Sequence, residues 1–232
     1  HACKTDLEVT VEEIFHDSKD EISMKELVRP YNSIIYVSQE GDVERLRDIH
    51  KACRQEKKIF IPALFLHQVG LAGPLIKPES VGCWESAWRS IHKTALGKEQ
   101  QSQTSYLIAE SLLANVIVFE LFKEMTGVSE SEPKSQFYLL NPETLEGSWH
   151  SFVPHPLVTG NVLVRQVQEL DKRIETKSSN SDSNKWLMYF SQLTSKQSGI
   201  FHSWEEGDLP QLPLAQCYVQ VVNPKSEGPA EL

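Results

Sequence analysis

Three shortages narrow the function classes open to this sequence. No stretch approaches the run of about eighteen consecutive apolar residues that a membrane-spanning helix needs. The opening residues, His1 to Asp6, also lack the charged-then-apolar layout of a secretory signal. A cytoplasmic protein with no membrane partner is the expectation. Cysteine is scarce, with four residues, Cys3, Cys53, Cys83 and Cys217, far apart and without a C-x-x-C pair. Local spacing therefore assembles no zinc knuckle, and reduced, unpaired thiols are expected. Positive charge is short as well: 23 Lys and Arg face 32 Asp and Glu, for a net charge of -9. A nucleic-acid partner would need a local basic patch strong enough to overcome that field. The clusters present are small. Lys51, Arg54, Lys57 and Lys58 fall at the end of one expected helix, where cations offset the helix dipole. No nucleic-acid partner is expected.

The hydrophobic content, 40% of 232 residues, suffices for one large domain or one domain with an appendage. Residues Val9 to Phe15 alternate in a strand-like way, and Ser23 to Val28 read as a short helix stopped by Pro30. Ser33 to Val37 and Ile59 to Leu66 are apolar runs suited to buried strands. Between them Asp42 can cap a helix whose Val43, Leu46, Ile49, His50 and Cys53 form one stripe. Strand, helix and strand predict a parallel pair with a right-handed crossover. Pro62 lacks a ladder donor, so the second strand should bend or lie partly at an edge there. Val69 to Ile76 read as a further strand. A helix from about Trp84 to Leu96 follows, then a long one from about Thr104 to Met125 closed by Gly127. The long helix is apolar on most sides and is expected against the sheet. Phe137 to Leu140 and Ser148 to Val153 read as a strand pair around Asn141-Pro142-Glu143. Beyond Gly160, an amphipathic helix carries Val162, Leu163, Val167, Leu170 and Ile174, and Lys177 to Asn184 have the composition of a mobile linker. The expected division is 1–160, 161–184 and 185–232, the last being the start of a second unit.

On these residues the segment from Ser33 to about Pro156 resembles the second half of the E1/ThiF superfamily. The matching stretches are Ser33 to Val37, Gly73-Pro74-Leu75-Ile76 with Pro78, Cys83, the helix ending at Thr126-Gly127, Phe137 to Leu140, and Pro154-His155-Pro156. The run from Gly73 to Trp88 is similar to ThiF-like thiazole-containing bacteriocin maturation proteins, which are associated with azole-forming cyclodehydratases. Ser195 to Phe201 are similar to the opening of YcaO-type scaffold or cyclodehydratase domains. The implied fold is α/β: a partial ThiF/E1-like, Rossmann-type mixed sheet flanked by helices, plus a small C-terminal α+β segment. The glycine-rich nucleotide loop of that family would precede His1, so the sequence reads as an internal portion of a longer polypeptide.

The departures from the family bear on chemistry. Where active relatives carry an Asp-Asn type element for magnesium and nucleotide, this sequence has Ser38-Gln39-Glu40. Where the family places two C-x-x-C pairs around zinc, it has Cys83 with Ser86, and Leu157-Val158 after His155-Pro156. One thiolate does not make a four-ligand site. Gly70-Leu71-Ala72-Gly73 precede no helix start and are expected to be a strand crossing rather than a phosphate loop. No cofactor-binding or metal-ligating residue is assigned. The weak catalytic candidate is Cys83, because E1 relatives place a thioester-forming cysteine in this crossover and helix N-termini can activate thiols. Sequence places no histidine beside it, and a buried inert thiol is the commoner fate. His67, His92, His150 and His155 show no metal-binding spacing on one helix. Trp84 and Trp88, one turn apart, form either an exposed recognition face or, as expected, core. Glu110 and Glu120 on the apolar helix need a Lys or Arg partner or a subunit contact.

The resemblance implies an E1-like auxiliary protein without catalytic activity of its own. It would bring a precursor (leader) peptide to a YcaO-type, ATP-dependent cyclodehydratase, as a homodimer formed through the long helix. The alternative is an ATP-dependent adenylating enzyme acting on a peptide, with Cys83 as acceptor.

Overall fold

The computed structural model describes residues 9–14, 23–39, 41–66, 68–97, 106–128, 135–159, 183–213, 216–223 and 228–232. After a short helix α1 (Met24–Val28), strand β1 (Ser33–Ser38) lies parallel to β2 (Ile59–Leu66), with Ile34 opposite Phe60 and Val37 opposite Ala63. Helix α2 (Val43–Gln55) crosses between them, and Asp42 starts it by accepting the Arg45 backbone N–H at 2.9 Å. The expected β-α-β unit is present. Three antiparallel strands then extend the sheet: β3 (Val69–Ala72), β4 (Gln136–Leu140) and β5 (Gly147–Ser151), giving the order β1-β2-β3-β4-β5.

Strand periodicity sorts the side chains of β2 into two cores. Phe60, Leu64 and Leu66 face α2 and α3 (Trp84–Ser90), packing with Leu46, Ile49, Cys53, Trp84 and Trp88. Ile61 and Ala63 face the opposite way, onto Ala109, Leu113 and Ile117 of the long helix α4 (Leu107–Met125). Each fully buried large apolar side chain contributes about 1.5–3 kcal/mol relative to an exposed one, so a strand that feeds both layers anchors the body. Helix α4 ends as its Gly127 predicts. Gly127 adopts φ 67°, and the backbone N–H groups of Gly127 and Val128 donate to Glu124 and Lys123 carbonyls at 3.2 and 3.1 Å.

Several expectations change in detail. Pro62 is not at an edge, since β2 is flanked by β1 and β3. It sits opposite a bulge: Ala63 pairs with Ala72 but Phe60 with Ile76, so the partner has one extra residue around Gly73 and Pro74. The Pro62 carbonyl accepts the Gly73 N–H at 2.7 Å, and Gly73 takes φ 80°. The strand expected over Val69 to Ile76 is therefore β3 up to Ala72, with Ile76 rejoining β2 beyond the bulge. Val9 to Ile14 form no strand and remain exposed, because alternation without a paired edge does not hold a strand, and Phe15 lies outside the described residues. The helix expected to run from Trp84 to Leu96 stops at Ser90, and a 3-10 turn covers Lys93–Leu96. Ile91 and His92 between them are extended because the chain's C-terminal region takes their backbone groups. His92 N–H donates to Gln197 O at 2.8 Å, and Ile91 O accepts from Ala230 N at 2.7 Å.

Four further elements complete the described chain: the single turn α5 (Pro156–Thr159), α6 (Ser183–Gln192), and the antiparallel pair β6 (Phe201–Glu205) and β7 (Tyr218–Val221). The helix expected over Val162 to Ile174 and nearly all of the linker expected over Lys177 to Asn184 lie outside the described residues, although Ser183 and Asn184 open α6.

If α4 is held by its sheet-facing stripe, Ile117→Ala should cost about 2–5 kcal/mol in urea unfolding, while Ile108→Ala on the exposed face should cost less than about 1 kcal/mol.

Candidate functional site

The crossover cysteine and its neighbours lie where α2, α3 and α5 meet. Cys83 caps the N-terminus of α3 and is only 2% exposed, with its Sγ 3.5 Å from Ser86 Oγ. Ser86 in turn accepts the backbone N–H of His155 at 3.1 Å. The two places that the resemblance assigns to zinc-holding pairs, 83/86 and 155–158, thus converge in space, and a hydrogen bond joins them. The donor set does not fit zinc: beside one thiol, one hydroxyl already engaged and the His155 imidazole stand Pro156, Leu157 and Val158, which offer no side-chain ligand, so four ligands are not reached. Among the described residues no group of three or more His, Cys, Asp or Glu side chains could hold a metal ion. His67 lies outside them.

Cys83 opens onto a groove of about 680 Å³ lined also by Arg47, His50, Lys51, Arg54, Glu85 and Arg89. Glu85 is its electrostatic hub. One carboxylate oxygen accepts Arg47 Nε at 2.8 Å, and the other accepts Arg47 Nη2 and Arg89 Nε, both at 3.1 Å. This two-point clamp ties α2 to α3 with the fork geometry that only arginine provides. His50 packs on Phe60, with ring centroids 5.6 Å apart, and is 6% exposed. Burial, reinforced by the Arg54 charge, pushes its pKa down to about 4, and its Nε2 makes no hydrogen bond among the described residues. His155 is held below its ordinary range by burial and by Arg89. Sequence reading found no histidine for Cys83. The structure puts His50 in the same groove, and the signal was its place on the buried stripe of α2.

The other singled-out residues resolve into structure. Trp84 and Trp88 are core, stacked with centroids 5.8 Å apart. Glu120 pairs with Lys123, and Glu124 pairs with Lys77 at 2.7 Å. His92 is fully buried, with its ring nitrogens each 3.0 Å from the carbonyls of Lys196 and Gly199, while His150 Nε2 lies 2.8 Å from Ser148 Oγ. Gly70 lies within β3, where a Cβ would meet the Phe65 ring at 3.1 Å, and Gly73 forms the bulge, so this stretch is a strand crossing. Cys53 is buried, and burial pushes its thiol pKa up to about 12, whereas Cys217 is exposed; Cys3 lies outside the described residues. At the C-terminal end of β1, Ser38 Oγ accepts the Asp42 backbone N–H at 3.2 Å, and Glu40 lies outside the described residues.

No protein-family model and no curated protein matches the chain. Solved structures do. A heterocyclase in complex with substrate and cofactor aligns over 78% of this chain and 28% of its own, at 13% identity and a TM-score of 0.52. The E. coli protein MccB aligns over 63% of this chain and 44% of its own, at 16% identity and a TM-score of 0.46. MccB in complex with N-formylated MccA, described as a microcin C7 biosynthetic enzyme, aligns over 66% of this chain and 47% of its own, with a TM-score of 0.45. The chain therefore spans less than half the length of these proteins. What the heterocyclase likeness shows is the fold alone, and the fold observed is the expected α/β arrangement of a mixed sheet flanked by helices.

The depressed pKa of His50 sets a pH dependence. Below its ordinary value of 6.5 the unfolded chain takes up a proton that the folded chain refuses until about pH 4. Stability should fall across that window, by about 3 kcal/mol from this group, and its contribution should level off below it. Urea unfolding of His50→Gln at pH 7, 5.5 and 4.5 should show a correspondingly shallower loss than the parent.

Proposed function

We propose that this chain is a noncatalytic, E1-like auxiliary or scaffold protein in the maturation of a thiazole- or oxazole-modified bacteriocin. Working in the cytoplasm, it brings a precursor's leader peptide to a separate, ATP-dependent cyclodehydratase of the YcaO type. The observation that carries this reading is the C-terminal end of β1. Active members of the resembled superfamily use an acidic side chain there to hold magnesium and nucleotide. Here the Ser38 hydroxyl is committed to the Asp42 backbone, and the Asp42 carboxylate to the first turn of α2. Each group stabilises the chain itself rather than pointing a charge at a ligand. The heterocyclase, whose solved complex holds substrate and cofactor, supports the association of this fold with heterocyclisation.

A homodimer is part of the same proposal. The outer face of α4 exposes Ile108, Leu112, Phe119 and Phe122, whose intervals of four, seven and three residues keep them on one side of the helix, with Val118 flanking them, an apolar surface that suits a helix-to-helix contact.

The adenylating enzyme is the second reading, favoured by one feature: Cys83 and His50 line a single groove. The two readings diverge in a pyrophosphate-release assay with precursor peptide. The scaffold reading expects no release by this protein alone and stimulation of azole formation when the cyclodehydratase is added. Peptide-dependent release by the protein alone would favour the enzyme. Cys83→Ser should leave the stimulation within about twofold of the parent, since no covalent step passes through the thiol.

A further inference from the structure

The groove beside Cys83 carries more positive charge than its structural role uses. Among its lining residues four cations, Arg47, Lys51, Arg54 and Arg89, face one carboxylate, Glu85, in a chain whose net charge is -9. Both oxygens of Glu85 are occupied, by Arg47 across the contact of α2 with α3 and by Arg89 from within α3, and Arg47 also pairs with Glu44 at 3.2 Å. Lys51 and Arg54 are exposed and form no ion pair among the described residues. They are also separated from the neighbouring Lys57 and Lys58, which line a different depression, where Lys58 Nζ donates to Arg29 O at 2.8 Å. The buried His50 also lines the groove, and its Nε2, shielded from solvent, makes no hydrogen bond with the described residues.

The dimensions select among anions. Arg47, Lys51 and Arg54 share one face of α2, spaced along its axis by about 6 Å and then about 4.5 Å at 1.5 Å per residue. A single small oxyanion cannot span that row. Carboxylates on alternate residues of an extended chain stand about 6.5–7 Å apart, close to the first spacing, and the long Lys51 and Arg54 side chains can splay to meet the second.

We propose that the groove between α2 and α3 is a docking site for an extended acidic peptide segment, with carboxylates on alternate residues meeting Arg47, Lys51 and Arg54 and the chain passing over His50. The site stands on its own charges and geometry and does not need the scaffold function. Screening limits its reach: at 0.1 M salt the Debye length is about 10 Å, so the peptide must lie in the groove to feel it against the acidic surround.

The test is fluorescence anisotropy with the full chain and a labelled peptide bearing glutamate at alternate positions, beside its glutamine counterpart. Lys51→Glu/Arg54→Glu alters two exposed side chains, and its melting temperature should stay close to the parent's. It should weaken binding of the acidic peptide about tenfold or more, on the scale of two lost charge contacts. Lys25→Glu/Lys185→Glu, the same charge change elsewhere, should alter binding less than about twofold. The proposal is overturned if the glutamine peptide binds equally well, if the two double variants lose affinity equally, or if inorganic phosphate at equal concentration displaces the peptide.

Discussion

Strand β2 is the constraint on which the rest of the structure depends, because it serves two hydrophobic layers at once. Phe60, Leu64 and Leu66 require α2 and α3 on one side, and Ile61 and Ala63 require α4 on the other. Its parallel pairing with β1 fixes the crossover through α2, and its bulged pairing with β3 absorbs Pro62 without leaving a backbone donor unmet. Because β2 is buried along almost its whole length, the layers are mutually dependent, and the helix ends that build the groove are set by packing rather than by flexible loops.

Much of this was legible in the residues. The β-α-β unit, the Asp42 cap, the long helix with its Gly127 terminus and the final strand pair all follow from periodicity and capping, which are local signals. What escaped was nonlocal. Nothing within Ser90 to Leu96 announces that Ile91 and His92 will be claimed by Gln197 and Ala230, more than a hundred residues away. The bulge opposite Pro62 needed both strands to be seen together. Val9 to Ile14 carried the right alternation for a strand and no partner to pair with.

At the site, sequence could name Cys83 but not its surroundings. Lys51 and Arg54 read as cations offsetting the dipole of α2, and only the arrival of α3 turns them into one wall of a groove. Glu85 makes that arrival possible by holding two guanidiniums, partly shielded from solvent, on one carboxylate. Likewise, the positions that the resemblance associates with zinc do meet in space. Their contact is a serine hydroxyl receiving a backbone N–H, so a hydrogen bond joins the two segments.

These points join in one claim: at the C-terminal end of β1 the polar groups of Ser38 and Asp42 cap the chain itself, and the concentrated positive charge lies elsewhere, between α2 and α3. Isothermal titration of the protein with ATP and magnesium addresses it most directly. The account predicts no saturable heat at millimolar nucleotide. Saturable, magnesium-dependent binding that is lost when Ser38 or Asp42 is replaced would contradict it.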